Sequence, residues 1–378
     1  MGATLFRRYS TSLALGACLT LLWAGAPAMA APKHLFVILM ENHATEQIIG
    51  NVADAPFINN DLLKRPGVGY AAQYFGVTHP SLPNYLALVS GDEMGIHDDC
   101  KAGADVKCPP EEFVPDAEEA PMAGHMLTDS QEKRAAETAH LFPGKTLIDQ
   151  LDEAKVDWKV YMQGLPTDRK LTEYWPLDAS GKPIAKIYAQ KHNPFVYFSR
   201  FVDDPARMAK LMPDDGLAAD LRGGLAGFTW ISPDQCHDMH GISPSSAAAI
   251  GKPNCGYPKA GLDHAVIRLG DDYLRETIGA IRAAPVWKDD TAVIIVWDED
   301  DYAGSSGVMG SPVGRNGVTL GGSRAPLIVV TSKDEPPRKI DTPYNHYSLL
   351  ATLEAAYEVD CLGHACDVKD ALIDGLFE

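Results

Sequence analysis

The sequence is poor in positive charge. Its 378 residues include 33 lysine and arginine residues against 51 aspartate and glutamate residues, which gives a formal net charge of −18 at pH 7. A surface this acidic repels nucleic acid and anionic membranes. We therefore expect neither of them as a bulk partner.

Long apolar runs are also scarce. The only candidate, at 13–23, is too short to span a bilayer comfortably. It follows the basic pair Arg7-Arg8 and precedes Ala28-Met29-Ala30, which is the order found in signal peptides. We expect residues 1–30 to be the cleaved leader of a secreted or periplasmic protein, with no integral membrane segment after its removal. The paired arginines also allow twin-arginine export. Leu15 to Cys18 resembles a lipoprotein cleavage site, but the apolar core continues past that cysteine.

The chain has no C-x-x-C spacing, which argues against a cysteine-rich metal site. Outside the leader it has six cysteines, an even number that indicates disulfide bonds in an oxidising compartment. Six cysteines allow fifteen pairings. Proximity in the chain favours Cys100 with Cys108, Cys236 with Cys255, and Cys361 with Cys366.

Repeats and low-complexity tracts are absent, and from Ala31 onward strands alternate with helices. This pattern is typical of an α/β fold with a doubly wound, mainly parallel sheet and helices on both faces. We expect one domain over 31–378, with an irregular excursion at about 91–143 that could cover a site. The predicted strands are 35–40, 70–77, 157–163, 228–232, 291–297 and 326–331, and the predicted helices are 55–64, 145–154, 262–284 and 345–357.

Polar clusters follow three of the predicted strands, at the end where α/β sheets bind ligands. They are Glu41-Asn42-His43, Asp298-Glu299, and the run from Asp234 to His240. Adjacent carboxylates after a buried strand repel each other, and a cation relieves that repulsion. We therefore predict a metal site beside Asp298 and Glu299, and we expect Asp300 and Asp301 to be solvated.

A further cluster surrounds Thr78. The stretch from Val77 to Tyr85 has the pattern of a strand end, a tight turn with Pro80 and Pro83, and a helix start. Thr78 would then lie just ahead of a helix N-terminus, where free N–H groups and the helix dipole favour a phosphate. A hydroxyl held there could attack phosphorus. The alternative is that Thr78 only caps the helix.

As a set, these segments resemble the phosphoesterase family of acid phosphatases and bacterial phospholipases C, within the alkaline-phosphatase-like superfamily. The matching segments run in order along nearly the whole chain after the leader: Met40 to His43, Thr78 to Tyr85, Phe228 to His240, Trp297 to Glu299, Gly321 to Pro326, and Asn345 to Leu350. The resemblance implies that Asp238 and His240 belong to the site in preference to Asp234 and His237. It also implies roles there for His192 and His346.

We therefore hypothesise metal-dependent hydrolysis of a small phosphate ester through a phosphothreonine on Thr78. Oxygen ligands suit magnesium, calcium or manganese, whereas histidine ligands would admit zinc or iron, and the number of ions stays open. The hypothesis assigns Glu41, Asn42, Thr78, Asp298 and Glu299 to the metal, His240 and His192 with Thr78 to catalysis, and Asn84, Asp238 and His346 to the phosphate.

Monoesters are the favoured substrates, because Thr78-His79-Pro80-Ser81 and the compact length resemble the acid phosphatase branch. A phosphodiesterase of the phospholipase C type is the first alternative. An exported phosphate- or metal-binding protein without turnover is the second. The sequence gives no indication of the oligomeric state.

Overall fold

The structure is a computed structural model that describes residues 1–2, 30–110, 129–257 except 167 and 170, 264–300, and 324–377 except 374. The predicted leader lies almost entirely outside the described residues, as do Asp301 and part of the Gly321 to Pro326 segment. None of the helices in the described ranges is both long and apolar enough to cross a bilayer.

The described residues form twelve strands and eleven α-helices. The strands are β1 (His34–Met40), β2 (Val68–Ala71), β3 (Tyr74–Phe75), β4 (Trp158–Met162), β5 (Tyr174–Leu177), β6 (Pro183–Ala189), β7 (Leu211–Pro213), β8 (Phe228–Ser232), β9 (Thr291–Trp297), β10 (Leu327–Thr331), β11 (Arg338–Ile340) and β12 (Tyr344–Asn345). The helices are α1 (Thr45–Ile48), α2 (Pro56–Asn60), α3 (Ser81–Ser90), α4 (Asp129–Glu137), α5 (Leu147–Glu153), α6 (Ser199–Val202), α7 (Pro205–Ala209), α8 (Leu217–Asp220), α9 (Pro244–Ala249), α10 (His264–Ala283) and α11 (His346–Ala356).

Eight strands form the central sheet, in the order β11-β2-β10-β9-β1-β8-β4-β7. Only β10 runs antiparallel to its neighbours among these paired strands. The predicted mainly parallel α/β sheet is therefore confirmed. Two small sheets accompany it, β12 with β3 and the hairpin of β5 with β6.

Both faces of the sheet are covered, as a doubly wound fold requires. Successive residues of β1 point to opposite faces. Leu35, Val37 and Leu39 pack into one core with the buried faces of α3, α5 and α11. Phe36, Ile38 and Met40 pack into a second core with α2 and α10. The continuous apolar run of this strand is explained by burial on both sides.

The sequence pattern located the central strands but not all of their surroundings. The predicted strand 70–77 is divided between β2 and β3, which pair in different sheets. The predicted helix 55–64 is α2 followed by a separate 3₁₀ turn at Leu62–Lys64. Helix α4 lies within the excursion, where no helix was predicted. The three predicted disulfides, Cys100–Cys108, Cys236–Cys255 and Cys361–Cys366, are confirmed.

Candidate functional site

Strands β1 and β9 bring two carboxylates together. Their register pairs Met40 with Trp297, so that Glu41 and Asp298 emerge side by side from the sheet. Asp298 N donates to Met40 O at 3.1 Å, and Asn42 N donates to Asp298 Oδ1 at 3.2 Å. Both carboxylates are completely buried. Parallel pairing alone therefore creates an acidic cluster at the carboxyl edge of the sheet.

This cluster has the properties of a site for a divalent cation. Glu41, Asp298 and Glu299 each offer an oxygen within 4.8 Å of the others. Asp298 Oδ2 is buried and has no hydrogen-bond partner among the described residues. Burial and the neighbouring charges of Glu41 and Glu299 hold the pKa of Asp298 well above its ordinary value. A buried, unpaired carboxylate oxygen is costly unless a cation or a proton neutralises it.

Asn42 completes the oxygen set. The end of its amide lies 3.0 Å from Glu299 Oε1 and 3.2 Å from Glu41 Oε2. With its nitrogen turned inward the amide donates to both carboxylates, and with its oxygen turned inward it becomes a further ligand. The predicted ligands Glu41, Asn42, Asp298 and Glu299 thus lie together and fit a hard cation such as magnesium, calcium or manganese.

The hydroxyl that lies among these carboxylates is that of Ser81. Ser81 Oγ is 3.1 Å from Glu41 Oε2 and 3.0 Å from Glu299 Oε1. Ser81 is the first residue of α3 and is almost fully buried. A hydroxyl has one proton, so it donates to only one of these two carboxylates at a time. Ser81 Oγ therefore contacts the second carboxylate oxygen without donating a proton to it. Two oxygens are found at such a distance when both bind one ion.

Thr78 has different neighbours. Its Oγ1 lies 3.3 Å from His79 O and 3.5 Å from His97 Nδ1. Neither of these is one of the clustered carboxylates. The geometry therefore favours Ser81 over Thr78 as the hydroxyl at the predicted metal centre.

Asn84 holds the turn that carries Thr78. Its Oδ1 accepts from Val77 N at 2.8 Å and from Thr78 N at 3.2 Å, and its Nδ2 donates to Thr78 O at 2.7 Å. Nδ2 also lies 3.1 Å from Pro80 O. Because the amide is fully buried and bonded to backbone, this geometry favours a positioning role over the predicted contact with phosphate.

Gly76 allows the same turn to approach the carboxylates. A Cβ atom at this position would lie 2.9 Å from Asp298 O and 3.3 Å from Asn84 Oδ1. Real side chains do not tolerate a backbone oxygen at this distance. The segment between β3 and α3 therefore lies directly against the residues that follow β9.

Lys191 places a buried ammonium group beside Ser81. Its Nζ lies 2.6 Å from Asp99 Oδ2, 3.2 Å from Ser81 Oγ and 3.4 Å from His240 Nε2. Asp99 Oδ1 in turn accepts from Leu82 N at 3.0 Å. Although burial opposes it, the charges of Asp99 and Glu41 hold the pKa of Lys191 above its ordinary value, so the group is cationic.

His192 and Asp238 support Glu41. His192 Nε2 lies 2.9 Å from Glu41 Oε1, and its Nδ1 lies 3.2 Å from Asp238 Oδ2. Asp238 Oδ1 also accepts from His240 N at 2.7 Å. Burial lowers the pKa of His192, but Glu41 and Asp238 outweigh burial and raise it to about 9. Because both nitrogens of His192 face carboxylates, it positions Glu41 in this geometry, and its predicted role at the leaving group stays a prediction.

His240 is neutral and faces Lys191. Its Nδ1 lies 2.7 Å from Gly241 O, which can only accept, so Nδ1 carries the proton and Nε2 carries a lone pair. Burial and the charge of Lys191 lower the pKa of His240 to about 3. His240 is only partly buried. The lone pair of Nε2 faces the ammonium group of Lys191 at 3.4 Å, and the predicted catalytic role of His240 stays a prediction.

Asp234 and His237 turn away from the carboxylate cluster. Asp234 accepts from the backbone of its own turn, at Cys236 N and His237 N. His237 stacks on Tyr273 of α10 and lies 2.8 Å from Gln163 Oε1. The polar run after β8 therefore divides between two locations, with Asp238 and His240 on the side of Glu41.

His346 lies on the backbone side of Asp298 rather than on the side of its carboxylate. Its Nε2 is 2.6 Å from Asp298 O and must donate, because a carbonyl only accepts. Burial lowers the pKa of His346 to about 4, so Nδ1 is unprotonated and accepts from Tyr74 OH at 2.7 Å. With both nitrogens used, His346 holds the backbone of Asp298. This geometry favours a positioning role over the predicted contact with phosphate.

The expectation that Asp300 is solvated is wrong. Asp300 is fully buried, and its Oδ1 lies 3.0 Å from His79 Nε2. His79 Nδ1 lies 2.6 Å from Glu299 Oε2, so one ring joins both carboxylates. Burial lowers the pKa of His79, but the charge of Glu299 and hydrogen bonding outweigh it and raise the pKa to about 10. A buried cation therefore orients Glu299 from behind.

Sequence reasoning missed Ser81, Lys191 and His79 as parts of the site. Ser81 has a local signal, since it is the first residue of the helix that was predicted to begin in this stretch. Lys191 directly precedes His192, which was selected, so its neighbourhood was also identified. Asp99 lies at the start of the excursion, and its partners Lys191 and Leu82 reach it only through the fold.

Sequence comparison assigns the chain to a known family. A model of the Phosphoesterase family matches residues 66–360, so the chain belongs to the Phosphoesterase family. A probable acid phosphatase of Kluyveromyces lactis is 24% identical over 336 residues, which cover 88% of this chain and 60% of the yeast protein. A phosphatidylinositol-3-phosphatase of Mycobacterium tuberculosis is 26% identical over 361 residues, which cover 93% of this chain and 88% of that protein.

Among solved structures, a protein in the alkaline phosphatase superfamily from Vibrio parahaemolyticus aligns with a TM-score of 0.45 and 16% identity. The alignment covers 88% of this chain and 68% of the Vibrio protein.

Proposed function

We propose that the protein hydrolyses small phosphate monoesters at the acidic centre and that Ser81, rather than Thr78, is the nucleophile. The observation that carries this proposal is the position of Ser81 Oγ, within 3.1 Å of oxygens of both Glu41 and Glu299 at the start of α3. A serine hydroxyl is a weak nucleophile unless a base or a cation activates it. The Kluyveromyces lactis relative is described as a probable acid phosphatase, a function that agrees with this chemistry.

The proposed reaction has two displacements. In the first, a bond forms between Ser81 Oγ and phosphorus, the ester P–O bond breaks, and the serine proton ends on the departing alcohol. In the second, water attacks phosphorus, the bond to Ser81 breaks, and its oxygen regains a proton as inorganic phosphate leaves. The attacking water supplies the proton that Ser81 Oγ regains. His240 is neutral, and its Nε2 lies 3.4 Å from Lys191 Nζ, so it helps to hold the ammonium group beside Ser81.

A divalent cation would be held by Glu41, Asn42, Asp298 and Glu299, and it would supply Lewis acidity that lowers the pKa of a bound hydroxyl. The surrounding residues act on the ligands themselves. His192 fixes Glu41, His79 fixes Glu299, and His346 fixes the backbone of Asp298. Ligands oriented in this way need little rearrangement during the reaction.

We also propose that the protein works outside the cytoplasm. Three disulfides persist in an oxidising compartment. The basic and apolar segments at the start of the sequence have the order of an export signal.

The first experiment measures p-nitrophenol release from mono- and bis-p-nitrophenyl phosphate by the purified protein, across about pH 4 to 9, before and after chelation. We expect rapid monoester cleavage that chelation abolishes and an added divalent ion restores. Faster bis-ester cleavage would instead support a phosphodiesterase of the phospholipase C type. Asp298→Asn should reduce the bound metal, and unchanged metal content would contradict the ligand set.

A further inference from the structure

We propose that Met239 is a positioning residue. Its side chain packs against Gly270 of α10 and thereby fixes the turn after β8 that supports Glu41, so that the packing of this helix sets the affinity of the acidic centre for a divalent ion. The inference rests on the proposed function, because it concerns a cation held partly by Glu41. The contact that carries it lies in the second core, on the far side of the turn from the acidic centre.

The first step is the backbone conformation of Met239. Its φ is 83°, in the left-handed region that side chains other than those of asparagine and aspartate rarely adopt. A residue keeps such a conformation only where the surrounding structure holds it there, and residues of this kind cluster at functional sites. The shape of the turn therefore depends on what contacts Met239.

The second step is the contact with α10. The Met239 side chain is fully buried in the second core, together with Val266 and Leu274 of that helix. A Cβ atom at Gly270 would lie 2.3 Å from Met239 Cγ, 2.7 Å from Met239 Cε and 3.1 Å from His237 O. Glycine at this position therefore lets both the methionine and the backbone of the turn approach the helix closely.

The third step is the support that the turn gives to Glu41. Asp238, which directly precedes Met239, accepts from Glu41 N with its backbone oxygen at 2.7 Å. Asp238 Oδ2 lies 3.2 Å from His192 Nδ1, and His192 Nε2 lies 2.9 Å from Glu41 Oε1. Asp238 thus holds the backbone of Glu41 directly and its carboxylate through His192. A change in the backbone at Met239 turns the neighbouring peptide, and both supports move with it.

These contacts form one continuous path from α10 to the acidic centre. It runs from Gly270 to the side chain of Met239, along the backbone to Asp238, and from Asp238 to Glu41. All four residues are buried, and a close-packed interior transmits a displacement rather than absorbing it. We expect the affinity for a divalent ion to depend on the volume at position 270, although Gly270 offers no ligand atom to the ion.

The test is a double-mutant cycle on the purified protein, with Gly270→Ala, Met239→Ala and the variant that carries both. The dissociation constant of Mn²⁺ is measured by calorimetry after removal of bound metal, together with turnover of p-nitrophenyl phosphate and thermal unfolding. Two controls lie farther along α10. Gly279→Ala adds a methyl group in open space, and Ile281→Ala removes a buried side chain of the second core near the end of the helix.

We expect Gly270→Ala to weaken Mn²⁺ binding and to lower kcat by about 10- to 100-fold, as the loss of a group that orients a ligand does. Met239→Ala should also weaken Mn²⁺ binding, because the turn loses its anchor. The double variant should bind Mn²⁺ at least about threefold more tightly than Gly270→Ala, since the added methyl group then occupies space that the thioether has left. Gly279→Ala and Ile281→Ala should stay within about twofold of the wild type in Mn²⁺ affinity, even where Ile281→Ala melts at a lower temperature.

Three results would overturn the proposal. The first is Mn²⁺ affinity within about twofold of the wild type in Gly270→Ala or in Met239→Ala. The second is additive losses in the double variant, because the two residues would then act independently. The third is an equal loss in Ile281→Ala, which would show that any weakening of the second core loosens the site.

Failure of the proposed function can be told apart from failure of this inference. If the wild type binds Mn²⁺ and cleaves no phosphate ester, the proposed function fails, whereas the binding cycle still tests Met239. A wild type that binds no divalent ion overturns the inference whether or not it cleaves esters. If Gly270→Ala does not fold, Met239→Ala decides against its control Ile281→Ala: weaker Mn²⁺ binding in Met239→Ala alone supports the inference, and equal binding in both overturns it.

Discussion

Ser81 and Thr78 lie close together in the sequence, but the electrostatic surroundings of their hydroxyl groups differ. Ser81 Oγ contacts two buried carboxylates and an ammonium group. Thr78 Oγ1 contacts a backbone carbonyl and the ring of His97. Nucleophilic attack on a phosphate is helped by a negative group that accepts the proton of the hydroxyl and by a positive group that stabilises the phosphorylated product. Ser81 has groups of both signs beside its hydroxyl.

At this scale we predict that Ser81→Ala lowers kcat for p-nitrophenyl phosphate by at least about 10³-fold, because it removes the nucleophile. Thr78→Ala should lower it far less, since that hydroxyl serves the turn. Quenching the wild type with acid during turnover should leave phosphate on the peptide that contains Ser81, as read by mass spectrometry. A phosphopeptide modified at Thr78, or a fully active Ser81→Ala, would return the role to Thr78.

The comparison of these two residues shows what a sequence can reveal about a site. Glu41, Asp298 and Glu299 were predictable, because apolar strands with polar ends have a regular pattern and parallel strands share an edge. The choice between Thr78 and Ser81 was not, because it depends on how deeply the turn between β3 and α3 descends toward the carboxylates. That depth is set by Gly76 and Asn84, through contacts with residues after β9 and within the turn itself.

Among the elements, the turn between β3 and α3 packs closely against the residues that follow β9. Gly76→Ala would place a Cβ 2.9 Å from the backbone oxygen of Asp298. We predict that it lowers the free energy of unfolding by about 1–3 kcal/mol. It should also reduce kcat, because the turn must move away from the residues that follow β9. Denaturant unfolding and kcat measure the two effects.

Gly279→Ala is the control for that substitution. Gly279 lies in α10 with open space around its Cβ position, so alanine should raise the free energy of unfolding by about 0.5–1 kcal/mol and leave turnover unchanged. Equal effects at Gly76 and Gly279 would show that close packing at Gly76 is unimportant.

The five inner strands β10, β9, β1, β8 and β4 were predicted because burial on both faces imposes a continuous apolar run, whereas the short edge strands β7 and β11 were not. The bounds of β8 and β9 agree with the sequence prediction residue for residue. The hairpin of β5 and β6 was missed, since most of its residues are exposed or half-buried and have no regular alternation. Helix α4 was missed for a similar reason, because its sequence has few apolar residues and it lies within the excursion.

At the scale of the whole molecule, Glu354 links stability to pH. This residue of α11 is buried, and its Oε1 accepts from Leu362 N at 2.8 Å and lies 3.2 Å from Gln150 Nε2. Burial raises the pKa of Glu354 to about 8, although these hydrogen bonds oppose the rise. Between its unfolded pKa of about 4.3 and this value, the folded protein binds more protons than the unfolded chain. Its contribution therefore lowers the free energy of unfolding as pH rises through this range.

We predict that Glu354→Gln removes this decrease in the free energy of unfolding with rising pH, because glutamine resembles the protonated acid. The melting temperature of the variant should exceed that of the wild type at about pH 8 and approach it near about pH 5. Glu335→Gln, at an exposed position, should follow the wild type throughout. A Glu354→Gln variant whose difference from wild type is the same at both values would show that the carboxyl is ionised in the folded protein.

The register of β1 and β9 also has a consequence for how the protein matures. Glu41 and Asp298 are neighbours in space but lie far apart in the sequence, so a chain still emerging from the ribosome has only part of the carboxylate cluster. Ligand sets of this kind form only as the chain folds. A divalent ion of the kind proposed here would therefore be selected only after β9 is inserted, from the ions available where folding finishes rather than where translation occurs.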